Sequence, residues 1–211
     1  IIYTSGASES NNLAIKGIAF SYRNRGKHII TTELVHSSIY GPINYLVNNG
    51  FDVDFVSLDE NGLIDLEHLK SLIRKDTILV SISAVNSEIG IRQNVEEIGS
   101  LLKEYPNIIF HVDATQCIGK DKIDLANIDL ISFTAHKFYG LKGIGALIKK
   151  DKVRLEPIIH GGKSTTKYRS GTPSPALIAS LAKSLRLALT NLEEKYDKVL
   201  EFNSTLQKEL S

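Results

Sequence analysis

Residues 132–145, SFTAHKFYGLKGIG, put a lysine in a setting around which the rest of the chain is organised. Residues 130–133 are a short apolar, β-prone run, and Thr134, Ala135, His136 and Lys137 stand where such a strand ends. Gly140, Gly143 and Gly145 follow as a glycine-rich turn. A lysine at the mouth of a buried strand is placed for Schiff-base chemistry, because desolvation there lowers an amine's pKa and leaves it nucleophilic. Most lysines beside glycines are solvated loop residues, however, so the weight falls on the motifs further out.

Working back towards the start, residues 108–112 read as a strand finishing at Asp113, and residues 78–83 as a β-branched run of central-strand character. Residues 86–90 form the loop after it. Asn94 and Glu97 have capping-box spacing for a helix to Tyr105, ahead of Pro106. Alternation at residues 51–55 marks a strand with one wet face, at a sheet edge. Residues 28–32 make another strand. It leads to His36 and to Ser37 or Ser38 as the cap of a helix ending before Gly50. Asp65 caps a short helix to Ile73. Residues 1–3 read as the tail of a strand, and residues 5–8 as a tight passage into a helix running to about Arg25. Beyond the opening stretch, Pro173 and Pro175 introduce one long helix over residues 176–210. Its second half carries Tyr196, Val199, Leu200, Leu206 and Leu210 along one side.

Strands alternating with helices through short glycine-bearing loops predict an α/β three-layer sandwich on a mostly parallel sheet, with ligands bound beyond the carboxyl ends of the strands. His36, Asn86, Asp113, Gln116, His136 and Lys137 all trail predicted strands and are expected in one crevice.

A length of 211 residues allows a sizeable core, and a formal net charge of +1 without long like-charge blocks gives no footprint for nucleic acid. The apolar runs are strand-sized, so neither a membrane span nor a signal peptide is read. Cys117 is the one cysteine, which excludes an internal disulfide and suits the cytoplasm. The sequence starts at Ile1 inside an apolar run and contains no methionine, so it reads as a segment of a longer protein.

Residues 5–8 place free backbone N–H groups and hydroxyls at a helix start, a cup for phosphate. Asp113, ending an apolar strand, needs a buried cationic partner. His36 offers an aromatic ring to a flat cofactor, and Gln116 and Asn86 offer neutral hydrogen bonds. Lysine for a Schiff base, acid for a pyridinium nitrogen, ring above and helix start for phosphate together describe a pyridoxal 5'-phosphate (PLP) site. The six histidines lack metal-ligand spacing, and no base adjoins Cys117 for a hydrolase.

SGASESNNLAIKG at 5–17, VNSEIG at 85–90, HVDATQ at 111–116, AHKFYGLKGIGAL at 135–147 and RSGTP at 169–173 resemble the cysteine desulfurases. These NifS/IscS-like enzymes fall in the class V aminotransferase group of fold type I PLP enzymes. The resemblance implies that Lys137 holds the cofactor and shuttles the substrate proton, that Asp113 meets the pyridine nitrogen, and that His36 stacks on the ring and assists proton transfer. Gln116 and Asn86 would address the ring oxygen, while Ala7, Ser8, Thr134 and His136 would bind the phosphate. Thr172 would reach the neighbouring phosphate in a homodimer. Residues 1–190 would be the PLP-binding large domain, without its N-terminal segment. Residues 191–211 would be the second half of a long helix leading to an absent small domain that bears the nucleophilic cysteine and a substrate-binding arginine, so the segment alone is expected to be inactive. The implied reaction takes L-cysteine to L-alanine and hands sulfur on as a persulfide, for an acceptor or scaffold protein in iron–sulfur or thio-cofactor synthesis.

The chain departs from the family pattern at three places, five positions in all. Ser8 stands for the common threonine, Leu141 for proline, and Lys163, Ser164 and Thr165 for a third glycine followed by Gln or His and Glu. The last departure keeps a selenocysteine lyase, another class V relative, or a non-catalytic PLP-fold scaffold as alternatives.

Overall fold

Runs rich in isoleucine, valine, threonine and phenylalanine form the strands, and the segments with 3.6-residue apolar periodicity form the helices that cover them. The computed structural model describes residues 1–163 and 165–210. In chain order the elements are β1 (Ile2–Thr4), α1 (Ala7–Tyr22), β2 (His28–Thr31), α2 (Ser37–Val47), β3 (Asp52–Phe55), α3 (Leu66–Leu72) and β4 (Thr77–Ser83). Then follow α4 (Val95–Leu102), β5 (Ile109–Asp113), β6 (Leu130–Thr134), a 3-10 turn (Ala135–Phe138), β7 (Gly145–Lys149), α5 (Pro175–Leu189) and α6 (Leu192–Leu210).

The seven strands form one sheet in the order β1-β7-β6-β5-β4-β2-β3. β3, β2, β4, β5 and β6 pair in parallel, while β7 is antiparallel to both β6 and β1. β7 alone therefore runs against the rest, and β1 ends at the same edge as the parallel strands. Asp113 pairs in register with Ser83 on β4 and with Ser132 on β6, so the strand ends that carry polar residues lie side by side.

On one face α1 and α2 lay Leu13, Ile15, Ile18, Ile39 and Ile43 against Ile29, Leu79, Ile109, Leu130 and Leu147. On the other, Leu69 of α3, Val95 and Ile98 of α4 and Leu181 of α5 pack on Val80, Ile82, Phe110, Val112, Ile131 and Phe133. Alternation along each strand sends successive side chains to opposite layers, so the three-layer sandwich follows from both faces being apolar.

At the opposite end of the sheet, His28 is fully buried between Thr77 Oγ1 (2.7 Å) and Asp54 Oδ2 (3.1 Å), tying β2 to both of its neighbours. Desolvation, and then the Arg74 charge, hold its pKa below the ordinary 6.5 despite Asp54.

Four local expectations change. β7 falls where only a glycine-rich turn was read. The helix expected to run unbroken over residues 176–210 is divided at Thr190 and Asn191, where Asn191 takes φ 53°. That left-handed residue is tolerated because asparagine bonds its own backbone, and it stops a helix much as glycine does. His36, not Ser37 or Ser38, caps α2, its Nδ1 accepting from Ser38 N–H. Asn94 makes no capping bond to its helix backbone; its amide instead reaches Glu97 Oε2 at 3.4 Å. The α6 residues Tyr196, Val199, Leu200, Leu206 and Leu210 are exposed.

Candidate active site

The carboxyl edge of the sheet opens into a cavity of about 400 Å³. Ala7, Ser8, His36, Asp113, Gln116, Thr134, His136 and Lys137 all line it, together with Ser5, Glu9, Ser38 and Thr115. Two predicted residues do not. Asn86 turns its Oδ1 onto the N–H groups of Glu88 and Ile89 and its amide nitrogen towards Leu34 O, so it shapes the loop between Val85 and Ser87. Thr172 is exposed outside the cavity. Of the three departing positions at 163–165, Ser164 lies outside the described residues.

α1 begins at the cavity wall. Ser10 N–H makes the first intrahelical bond to Gly6 O, leaving the preceding amides without helical acceptors and aimed outward. These amides and the helix dipole favour an anion. The cup stays this close to the sheet because Gly145 has no side chain: a Cβ there would lie 2.7 Å from Gly6 backbone and 2.8 Å from Phe133 O. Glu9 sits in the same turn. Its carboxylate accepts from Ser5 N–H (2.7 Å) and from Arg169 Nε (2.8 Å). Burial would raise its pKa, but the Arg169 and Ser5 hydrogen bonds outweigh that and hold it below the usual carboxylate value.

Asp113 is 5 % exposed at the end of β5. Oδ2 accepts from Asn11 Nδ2 (2.8 Å) and Oδ1 from Thr115 N–H (3.0 Å). Among the described residues no cation pairs with it. A buried carboxylate held by two neutral donors still lacks the positive partner that burial calls for.

Lys137 lies half-buried on the 3-10 turn, between Ala135 and Phe138, which face the core. Gly140 N–H closes the turn on Ala135 O at 2.9 Å, and Tyr139 takes the left-handed φ of 65° to allow it. Thr134 Oγ1 donates to Ile144 O (3.0 Å) and so accepts from His136 Nδ1 (3.1 Å). That fixes the His136 proton on Nδ1. Desolvation first, then the charges of Lys137 and Lys142, push the His136 pKa below 6.5. Gln116 Oε1 accepts from Lys120 Nζ at 2.7 Å, which leaves its NH₂ as the free donor. Burial, and next the Lys137 charge, lower the Lys120 pKa.

Cys117 is fully buried, and burial followed by the Asp121 charge raises its thiol from 9.0 to about 11. Such a thiol is neither accessible nor ionised at neutral pH. Among the described residues no three His, Cys, Asp or Glu side chains gather as a metal site.

Sequence reading passed over Asn11 as a site residue. The signal was present: Asn11 falls on the helix face of Ala7, Ala14 and Ile18, where a polar side chain on a buried stripe needs a reason. Its Oδ1 is buried without a partner among the described residues, which costs about 1–3 kcal/mol.

A lysine, a buried carboxylate lacking a cation, a histidine and an anion cup around one cavity match PLP in charge and donor set. The aminotransferase class-V family matches residues 1–211. The chain is 40 % identical over 212 residues to a cysteine desulfurase IscS of Dictyoglomus turgidum, covering 100 % of the chain and 54 % of that protein. It is 47 % identical over 210 residues to one of Buchnera aphidicola, covering 98 % and 52 %. A solved NifS-like protein superposes with a TM-score of 0.94 at 37 % identity, over 99 % of this chain and 58 % of that one. The chain thus spans about half the length of the curated relatives it matches.

Proposed function

Because this chain belongs to the class-V aminotransferase family, we propose that it is the PLP-binding part of a cysteine desulfurase. The protein would release L-alanine from L-cysteine and pass sulfur to a cysteine of its own, for a protein acceptor in the cytoplasm. Residues 1–190 would form the cofactor domain. The observation that carries the reading is Asp113, a buried carboxylate that faces the cavity without a cation.

Bound PLP supplies an aldehyde for a covalent link to an amine and a protonated ring that draws electron density from the attached carbon. The residues here divide the remaining work. Lys137 would be the amine that holds the cofactor at the cavity and the base for the substrate Cα proton. Asp113 would stabilise the positive pyridine nitrogen, and the Asn11 and Thr115 donors keep its oxygens directed. Gln116, its carbonyl already taken by Lys120, would donate from its NH₂ to the ring oxygen. The α1 amides and the Ser8 hydroxyl would hold the phosphate, and His136, whose Nδ1 proton goes to Thr134, would reach it from Nε2 as an imidazolium, while Arg169 neutralises Glu9 so that the cup remains attractive to an anion. His36, which lines the cavity, would lie against the ring. Thr172, exposed beyond the cavity, is free to reach a second subunit's phosphate in a homodimer.

The test is alanine release from L-cysteine by the full-length protein loaded with PLP. Lys137→Ala should lose the near-visible absorbance of the bound cofactor and its fixation by borohydride, with circular dichroism unchanged. A variant that still fixes PLP would overturn the role of Lys137. Selenocysteine run alongside cysteine separates a desulfurase from a lyase of the heavier substrate.

A further inference from the structure

Asn11 is fully buried, yet its amide oxygen has no partner among the described residues. Its nitrogen donates twice, to Asp113 Oδ2 and to Ser38 Oγ, each at 2.8 Å. Turning the amide over would press its oxygen against the Asp113 carboxylate, so the charge fixes the orientation.

The second step concerns Ser38. Its Oγ lies 2.9 Å from His36 Nδ1, and its backbone N–H points at the same nitrogen at 3.1 Å. A backbone N–H only donates, so Nδ1 is an acceptor and carries no proton. The Ser38 oxygen already accepts from Asn11, and its hydroxyl proton goes to Nδ1 as well. The proton of neutral His36 therefore resides on Nε2. The links run without a gap from the end of β5, through α1, to the cap of α2.

We propose that Asn11 and Ser38 are positioning residues that join Asp113 to His36, holding the imidazole in one orientation with its proton on Nε2 for the reaction. What Asp113 and His36 touch rests on the PLP reading above; the linkage itself rests on these contacts. Nothing in the spacing of a serine in the first turn of α2 announces it, because the connection crosses three elements.

The experiment uses the full-length protein with 15N-labelled histidine, free of cofactor, at a pH where the ring is neutral. The His36 signals are assigned by their loss in His36→Asn. Wild type should show a pyrrole-type Nε2 and a strongly hydrogen-bonded pyridine-type Nδ1. In Ser38→Ala, Nδ1 should move towards the value of a free pyridine-type nitrogen, and Ser38→Thr should restore it. Asn11→Leu should move it in the same direction. With PLP and cysteine, Ser38→Ala and Asn11→Leu should lower kcat, by up to about 100-fold for a misplaced reacting group, with KM and cofactor affinity little changed. If Asn11→Leu does not fold, Ser38→Ala on the first turn of α2 carries the test. A protonated Nδ1 in wild type, or an unmoved Nδ1 or unchanged kcat in Ser38→Ala, overturns the proposal. A wild type that takes up PLP without turning over cysteine counts against the functional reading, and the nitrogen shifts then decide the linkage alone.

Discussion

Asp113 and Cys117 show how burial assigns opposite roles to two ionisable side chains four residues apart. At Asp113 the neutral donors Asn11 and Thr115 keep the carboxylate directed and leave its charge to a ligand. Asp113→Asn should keep most of the hydrogen-bonding shape and remove the charge. Turnover in the full-length protein should then fall at least about 100-fold, as for other lost electrostatic partners, while PLP retention falls less. Steady-state alanine release and cofactor content, measured on one preparation, separate the two; near-normal turnover removes Asp113 from the mechanism. At Cys117, a thiol pushed to about 11 and shut from solvent has no route to a substrate sulfur. Cys117→Ser in the full-length protein should therefore leave alanine release unchanged. The 211-residue chain incubated with PLP, cysteine and reductant should release no alanine over many turnovers. Turnover that vanishes in Cys117→Ser would make this cysteine the nucleophile.

At the scale of elements, the junction of β1, α1 and β7 decides whether the anion cup exists. Gly145→Ala inserts a methyl into space held by Gly6 backbone and Phe133 O, neither of which can rotate away. Overpacking of this kind costs about 1–3 kcal/mol. The lowered denaturation midpoint should come with weaker binding of PLP, because the cup must move to make room. A variant that loses stability but binds PLP as tightly as wild type would separate the cup from this junction. The same junction marks a limit of sequence reading. Gly140, Gly143 and Gly145 were read together as a turn because glycine is depleted in strands, yet Gly145 starts β7, where close approach excludes a side chain. The strands β2, β4, β5 and β6 were legible because they are continuous apolar runs buried on both faces. The division after α5 was not, because the apolar stripe continues across it while one left-handed Asn191 redirects the chain. The cap of α2 was placed a residue or two late, since histidine is not among the preferred caps and took that place only through Ser38.

Across the whole molecule, convergence at the carboxyl edge was legible, because a parallel sheet forces the residues after its strands to one side. The polar seam beneath was not, since its partners meet only through sheet order. His111 lies in it, fully buried, two residues below Asp113 on the same face. Ser81 Oγ is 2.8 Å from its Nδ1 and Ser132 Oγ 2.9 Å from its Nε2, so three adjacent strands are bridged by one neutral ring. Desolvation drops its pKa from 6.5 to about 3. Between those values the unfolded chain binds a proton that the folded chain refuses. Stability is therefore complete above pH 6.5 and declines as pH falls below it, by about 1.4 kcal/mol per unit. His28 and His136, also held below 6.5, act in the same direction. Glu9 and Glu96, with lowered carboxyl values, exert their effect below about pH 4.5 and leave the window from pH 5 to 7.5 to the histidines. His111→Gln keeps a neutral hydrogen-bonding group between the two serines and removes the titration. Unfolding free energies from urea titrations across that window should rise with pH in wild type by about 2 kcal/mol more than in His111→Gln. Equal slopes would mean that the ring is protonated in the fold, with both serines rather than one accepting from it.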